Sequence, residues 1–97
     1  MEKYSSLRGY RDESGKFDRF PGKRQKKQQA LMLQFLAEQF AAGKTYSEKE
    51  VNDILNQHHS FADPATLRRL MFGSGLLNRT LDGRAYWRVA EQAATSN

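Results

Sequence analysis

At 97 residues the chain is long enough for one domain and too short for two, and a domain of that size buries roughly 60–65% of the surface its unfolded chain exposes. It contains no cysteine, which excludes disulfides, thiol nucleophiles and thiolate zinc sites. The formal net charge of +5 is unevenly placed: residues 1–29 hold nine Lys/Arg against four Asp/Glu, and residues 30–97 hold seven of each.

Residues 1–20 read as a polar N-terminal arm dotted with Tyr4, Tyr10, Phe17 and Phe20. Such a segment either stays disordered or docks Phe17 and Phe20 on a core. Ser14-Gly15 marks a turn, and Pro21-Gly22 punctuates the chain before the main domain, expected over 21–90. The N-terminus is polar throughout, without the apolar run of a signal peptide. The longest apolar-rich run, Ala30 to Ala42, is interrupted by Gln34, Glu38 and Gln39 and falls short of the ~20 residues a bilayer span needs. A soluble, cytoplasmic protein is expected.

The first helix is expected from Lys23 to Ala42. Met32, Leu33, Leu36, Ala37 and Phe40 recur at helical spacing, and Gly43 supplies a left-handed stop. Its start carries Lys23, Arg24, Lys26 and Lys27. Cations there oppose the helix dipole, which raises the odds that the run meets phosphate rather than serving only as a solvated face. The second helix is announced by a capping box, with Ser47 as cap, Glu50 three residues on, and Tyr46 packing on Val51. Val51, Ile54, Leu55 and His58 then line one face. Capping and dipole complementation explain Glu48 and Glu50 without catalysis.

The third helix is expected over 63–73, with Asp63 as cap, Pro64 in the first helical position and an inward stripe of Leu67, Leu70 and Met71. Gly73 or Gly75 ends it. Thr66, Arg68, Arg69 and Phe72 are left to point elsewhere. Arg68 and Arg69 are adjacent and so about 100° apart on the helix, which implies a split: one structural, one for a phosphate or base edge.

A hairpin follows over 76–89. Asp82-Gly83 suits a two-residue type I′ turn, which pairs Leu81 with Arg84, Arg79 with Tyr86 and Leu77 with Arg88. Alternation then sets Arg79, Arg84, Tyr86 and Arg88 on one face and Leu76, Ala85, Trp87 and Val89 on the other. In this register Trp87 belongs to the core, and Tyr86 is read equally as a nucleic-acid contact or as packing. Residues 91–97 read as a flexible tail.

No metal or cofactor site emerges. His58 and His59 are neighbours without a partner pair or cysteine to complete a tetrahedral set. The Gly-Ser-Gly at 73–75 follows a helix rather than a strand and reads as a helix stop. No nucleophile or acid–base pair stands out, so no catalytic residue and no enzyme is expected.

Three helices followed by a two-stranded hairpin, α+β and mainly helical, is the layout of a winged helix-turn-helix. Helix 63–73 would enter a major groove through Thr66, Arg68 and Arg69. The hairpin would act as wing with Arg79, Arg84, Tyr86 and Arg88, while Lys23, Arg24, Lys26 and Lys27 would grip phosphates. The connection between the second and third helices is longer than the tight three- or four-residue turn. The segments "ESGKFDRFPGKRQKK", "LQFLAEQF", "YSEKEVNDIL", "ATLRRLM" and "GLLNRTLDGRAYWR" resemble the bacterial domain-of-unknown-function 2087 family over about residues 13–88. That resemblance implies a winged-helix-like fold and a role in regulating transcription. The expected partner is double-stranded DNA, with a homodimer supplying a second half-site. The rival partners are structured RNA or the ribosome, and a protein docking on the helix 63–73 face with Phe72.

Overall fold

The structure, a computed structural model, describes residues 4–61 and 63–89. The architecture is small α+β. A 3₁₀ helix over Ser5–Tyr10 precedes α1 (Lys26–Ala37), β1 (Thr45–Tyr46), α2 (Glu48–Asn56), α3 (Pro64–Gly73), β2 (Leu77–Arg79) and β3 (Tyr86–Arg88). The tail expected over 91–97 lies outside the described residues. No described helix is long and apolar enough to cross a membrane.

The sheet has three antiparallel strands in the order β1-β3-β2, not the two of a lone hairpin. Thr45 opposes Trp87 and Tyr46 opposes Tyr86, which makes β3 the central strand. A two-residue strand has no alternation to read, so β1 is defined only by its partner. In the hairpin two of the three expected pairs form, Leu77 opposite Arg88 and Arg79 opposite Tyr86; Leu81 and Arg84 do not pair, because they lie in the wider loop that follows.

The turn differs from expectation. Type I′ geometry needs positive φ at both central residues, yet Gly83 alone has it, at 73°. The chain instead turns through Thr80–Gly83, closed by Gly83 N–H to the Thr80 carbonyl and Thr80 N–H to the Ala85 carbonyl, both at 3.0 Å. Side chains select this wider loop. The Thr80 hydroxyl donates to the Asp82 carboxylate at 2.7 Å and accepts from Arg84 N–H at 3.1 Å. The Asp82 carboxylate also accepts Arg84 N–H, at 3.1 Å.

Helix α1 is shorter at both ends than Lys23 to Ala42. At its start Gln29 donates to the carbonyls of Pro21 and Gly22 at 3.0 and 2.9 Å, which ties residues 21–25 into a turn. Lys23 and Arg24 therefore precede the helix. Beyond Ala37, Gln39 and Phe40 donate to carbonyls three residues back, a tightening that ends α-helical geometry. The expected apolar face is nonetheless buried throughout, Phe40 included.

Helix α2 carries its capping box as expected, with Glu50 N–H on the Ser47 hydroxyl and Ser47 N–H on the Glu50 carboxylate. Helix α3 starts on Asp63, whose carboxylate accepts Thr66 N–H at 2.9 Å. Its end is a Schellman closure: Leu76 N–H reaches the Met71 carbonyl and Gly75 N–H the Phe72 carbonyl. Gly75 supplies the left-handed residue, with φ 81°. Leu67 and Met71 are fully buried, whereas Leu70, expected in the same stripe, is 40% exposed at its edge.

Residues 4–20 are part of the packing. Leu7 and Phe17 have no exposed surface and belong to one cluster with the buried residues of α1, α2, α3 and the sheet, and Phe20 packs against it. Phe17 N–H donates to the His58 carbonyl at 2.8 Å and Ser60 N–H to the Phe17 carbonyl at 2.9 Å, a one-residue parallel bridge onto the α2–α3 connection. This accounts for the length of that connection. A tight turn would have no free backbone to receive Phe17.

Candidate nucleic-acid interface

The hairpin inverts the expected division of faces. Tyr86 is buried, at 4% exposure, with Leu77 and Tyr46 beside it, while Trp87 is half-buried. The physical reason is the side on which the helices pack: Tyr46, Leu77 and Tyr86 share one face of the sheet and join the buried residues of α1, α2 and α3 in one cluster, and the arginines on that side reach out past the aliphatic core by their length. Trp87 shares the opposite side with Asn78 and Thr45.

The two arginines of α3 divide the work. The Arg68 side chain is 16% exposed and donates to Asn52 of α2 at 2.5 Å. It also pairs with Glu48 of α2 at 3.5 Å and lies over the Tyr86 ring at 5.7 Å. It ties α3 to both α2 and the sheet. Arg69 is exposed and has no ion-pair partner among the described residues.

Arg79 is held in place from several sides. Its Nη1 donates to the carbonyls of Thr80 and Leu81 at 3.2 and 3.3 Å, and its guanidinium lies 5.0 Å over the Phe72 ring. A Cβ on Gly83 would stand 3.6 Å from that Nη1, so the turn glycine also packs close to it. Arg68, Arg69 and Arg79 line one cleft of about 160 Å³ together with Ala65, Phe72 and Tyr86.

The other expected contact residues lie apart from this cleft. Arg88 is half-buried and donates to the Phe40 carbonyl at 3.2 Å, closing the sheet onto the end of α1. Arg84 is highly exposed at the hairpin tip and pairs with Asp82 at 3.4 Å. Thr66 is exposed, and its hydroxyl donates to the Asp63 carboxylate at 3.0 Å. The Thr66 N–H and hydroxyl hold the Asp63 carboxyl below its ordinary range. At the tip, the Thr80 hydroxyl and Arg84 N–H do the same for Asp82. Lys23, Arg24, Lys26 and Lys27 are all exposed around the start of α1.

Phe72 is 41% exposed, in line with its expected position away from the core, whereas the full exposure of Leu81, at 103%, was not expected. Leu81 sits at the turn, beside Asp82-Gly83, and that position is the signal that could have marked it as exposed. His58 and His59 have packing roles: His59 is buried with Nδ1 2.7 Å from the Leu55 carbonyl, and His58 meets the Phe35 ring edge-on. No cluster of three or more metal-ligating side chains occurs among the described residues.

The model of a family described as an uncharacterized protein conserved in bacteria (DUF2087) matches residues 16–88. The chain belongs to the DUF2087 family. No curated protein and no solved structure matches it. The matched span begins one residue before Phe17 and ends at Arg88, so within this DUF2087 chain it covers the Phe17 bridge, the three α-helices and all three strands.

Proposed function

We propose that this DUF2087 protein is a winged-helix protein that binds double-stranded DNA and regulates transcription, with α3 in the major groove and the β2–β3 hairpin as wing. The observation that carries the reading is the arginine-lined surface where α3 meets the hairpin. The element order supports it: a strand between the first and second helices pairs with the last strand, and the exposed helix directly precedes the hairpin. In such an arrangement the helix supplies base contacts and the hairpin supplies backbone contacts.

The roles follow from exposure. Arg69 and Thr66 are the α3 side chains available to a groove, and Arg84 is the hairpin cation available to a neighbouring backbone. Lys23, Arg24, Lys26 and Lys27 add phosphate contacts. Arg68, Tyr86 and Arg88 act by holding the surface in shape. A second reading is favoured by Leu70, Phe72 and Leu81, which are exposed on α3 and the hairpin tip: the same face would dock a protein.

Fluorescence anisotropy with labelled random duplex and with a structured RNA hairpin, each at two salt concentrations, separates these. If about six phosphates are neutralised, log K on duplex falls against log salt with a slope near −5. Arg69→Ala lowers duplex affinity, and Lys26→Ala with Lys27→Ala lowers both affinity and slope. Stronger binding to the RNA hairpin would move the function to RNA, and no binding to either at low salt would favour the protein-docking face.

A further inference from the structure

We propose that the cleft between α3 and the hairpin is a seat for a single phosphate group, with Arg69 and Arg79 as its ligands. The inference does not depend on the chain binding DNA. It rests on how the donors around the cleft are used. Both Nη1 bonds of Arg79 go to the Thr80 and Leu81 carbonyls, which leaves Nε and Nη2 for a ligand. The Arg69 side chain makes no hydrogen bond or ion pair among the described residues, so its whole planar fork is available. Arg68 has its charge answered by Glu48 and forms the fixed wall.

The charge balance points the same way. Arg79 has no acidic partner among the described residues. Asp63 feels the charges of Arg69 and Arg68, but its carboxylate is engaged by Thr66. Two guanidiniums thus face one small concavity without a carboxylate between them, a combination suited to a tetrahedral oxyanion.

The aromatic rings in the cleft serve the arginines. Phe72 lies against Arg79 and Tyr86 against Arg68, so each ring helps to hold its guanidinium in place, and Arg79 keeps Nε and Nη2 for the ligand. At about 160 Å³ the cleft has room for a phosphate group. The group arrives either on a small phosphate ester or on a polynucleotide backbone.

The test is titration of the full chain with inorganic phosphate, followed by ¹⁵N–¹H correlation spectra that include the arginine Nε–Hε signals, against chloride at matched ionic strength. Saturable shifts are expected at the Arg69 and Arg79 Nε–Hε signals and the amides flanking the cleft. Arg69→Gln and Arg79→Gln should each weaken the midpoint by about tenfold or more. Arg69 is exposed and packs against nothing essential, so that variant keeps the proposal falsifiable if Arg79→Gln disturbs the hairpin. Shifts that chloride reproduces, or midpoints unchanged in both variants, would overturn it. Repeating the titration with a short duplex present assigns the source. Competition beyond the chloride control places a backbone phosphate in the seat, and phosphate binding indifferent to the duplex assigns it to a small ester.

Discussion

Replacing Arg68 with alanine should unfold the protein more easily, while the same change at its neighbour Arg69 should not. Arg68 loses three interactions at once. Its bond to Asn52 is a charge-assisted hydrogen bond in a partly buried setting, worth about 1.5–3 kcal/mol. The pair with Glu48, whose side chain is 54% exposed, adds at most ~1 kcal/mol. The Tyr86 stacking adds about 0.5 kcal/mol. These terms share one side chain and do not add fully, so the expected loss is about 2 kcal/mol. For a domain of this size that lowers Tm by roughly 10 °C. Arg69→Ala should stay within ~0.5 kcal/mol of the parent. Urea unfolding followed by circular dichroism measures both, and a double-mutant cycle with Asn52→Ala should show coupling of about 1 kcal/mol. An Arg68→Ala protein as stable as the parent, or an Arg69→Ala protein equally destabilised, would refute the division of roles between these two arginines.

Phe17→Ala should cost about 3–5 kcal/mol, because the ring is fully buried among α1 and the α2–α3 connection. A truncation that removes residues 1–20 should be at least as damaging, and a truncated chain with the parent's urea midpoint would show that the segment is dispensable. Ser47→Ala should destabilise by about 1 kcal/mol, read from the same unfolding curves, since it removes the hydroxyl of the α2 capping box. His58 has its pKa depressed, first by burial and then by the charge of Arg11. The native state therefore takes up its proton less readily than the unfolded chain. Stability should be complete above the ordinary histidine value of 6.5 and should fall as pH drops through the folded-state value. His58→Gln should flatten that part of the pH–stability curve, and an unchanged curve would assign the acid sensitivity elsewhere.

Local signals were legible in the residues themselves. The Ser47–Glu50 box, the Asp63-Pro64 start and the glycine closure of α3 each satisfy orphan backbone groups within a few positions, so their physics is contained in a short stretch. The apolar face of α1 and the hairpin register are periodic patterns and survive intact. The division between Arg68 and Arg69 also followed from helical geometry, although which arginine took which part did not.

Other features depended on partners far away in the chain. Strand β1 is two residues long, and nothing in Thr45–Tyr46 alone says that β3 will accept it. Once it does, β3 becomes central; the helices cover the side of Tyr86, and Trp87 is left half-buried on the other. Phe17 is likewise only an aromatic among charges until the His58 and Ser60 backbone receives it.

The sequence by itself therefore determined where α2 and α3 start, where α3 stops, which face α1 buries and the Leu77–Arg88 and Arg79–Tyr86 pairs of the hairpin. Tertiary structure alone decided which side of the sheet meets the core and how Arg68, Arg69 and Arg79 converge on one cleft with Phe72. Capping and periodicity act over a few residues, whereas the side of a small sheet that is buried is set by the helices that pack on it, contacts between segments far apart in the chain.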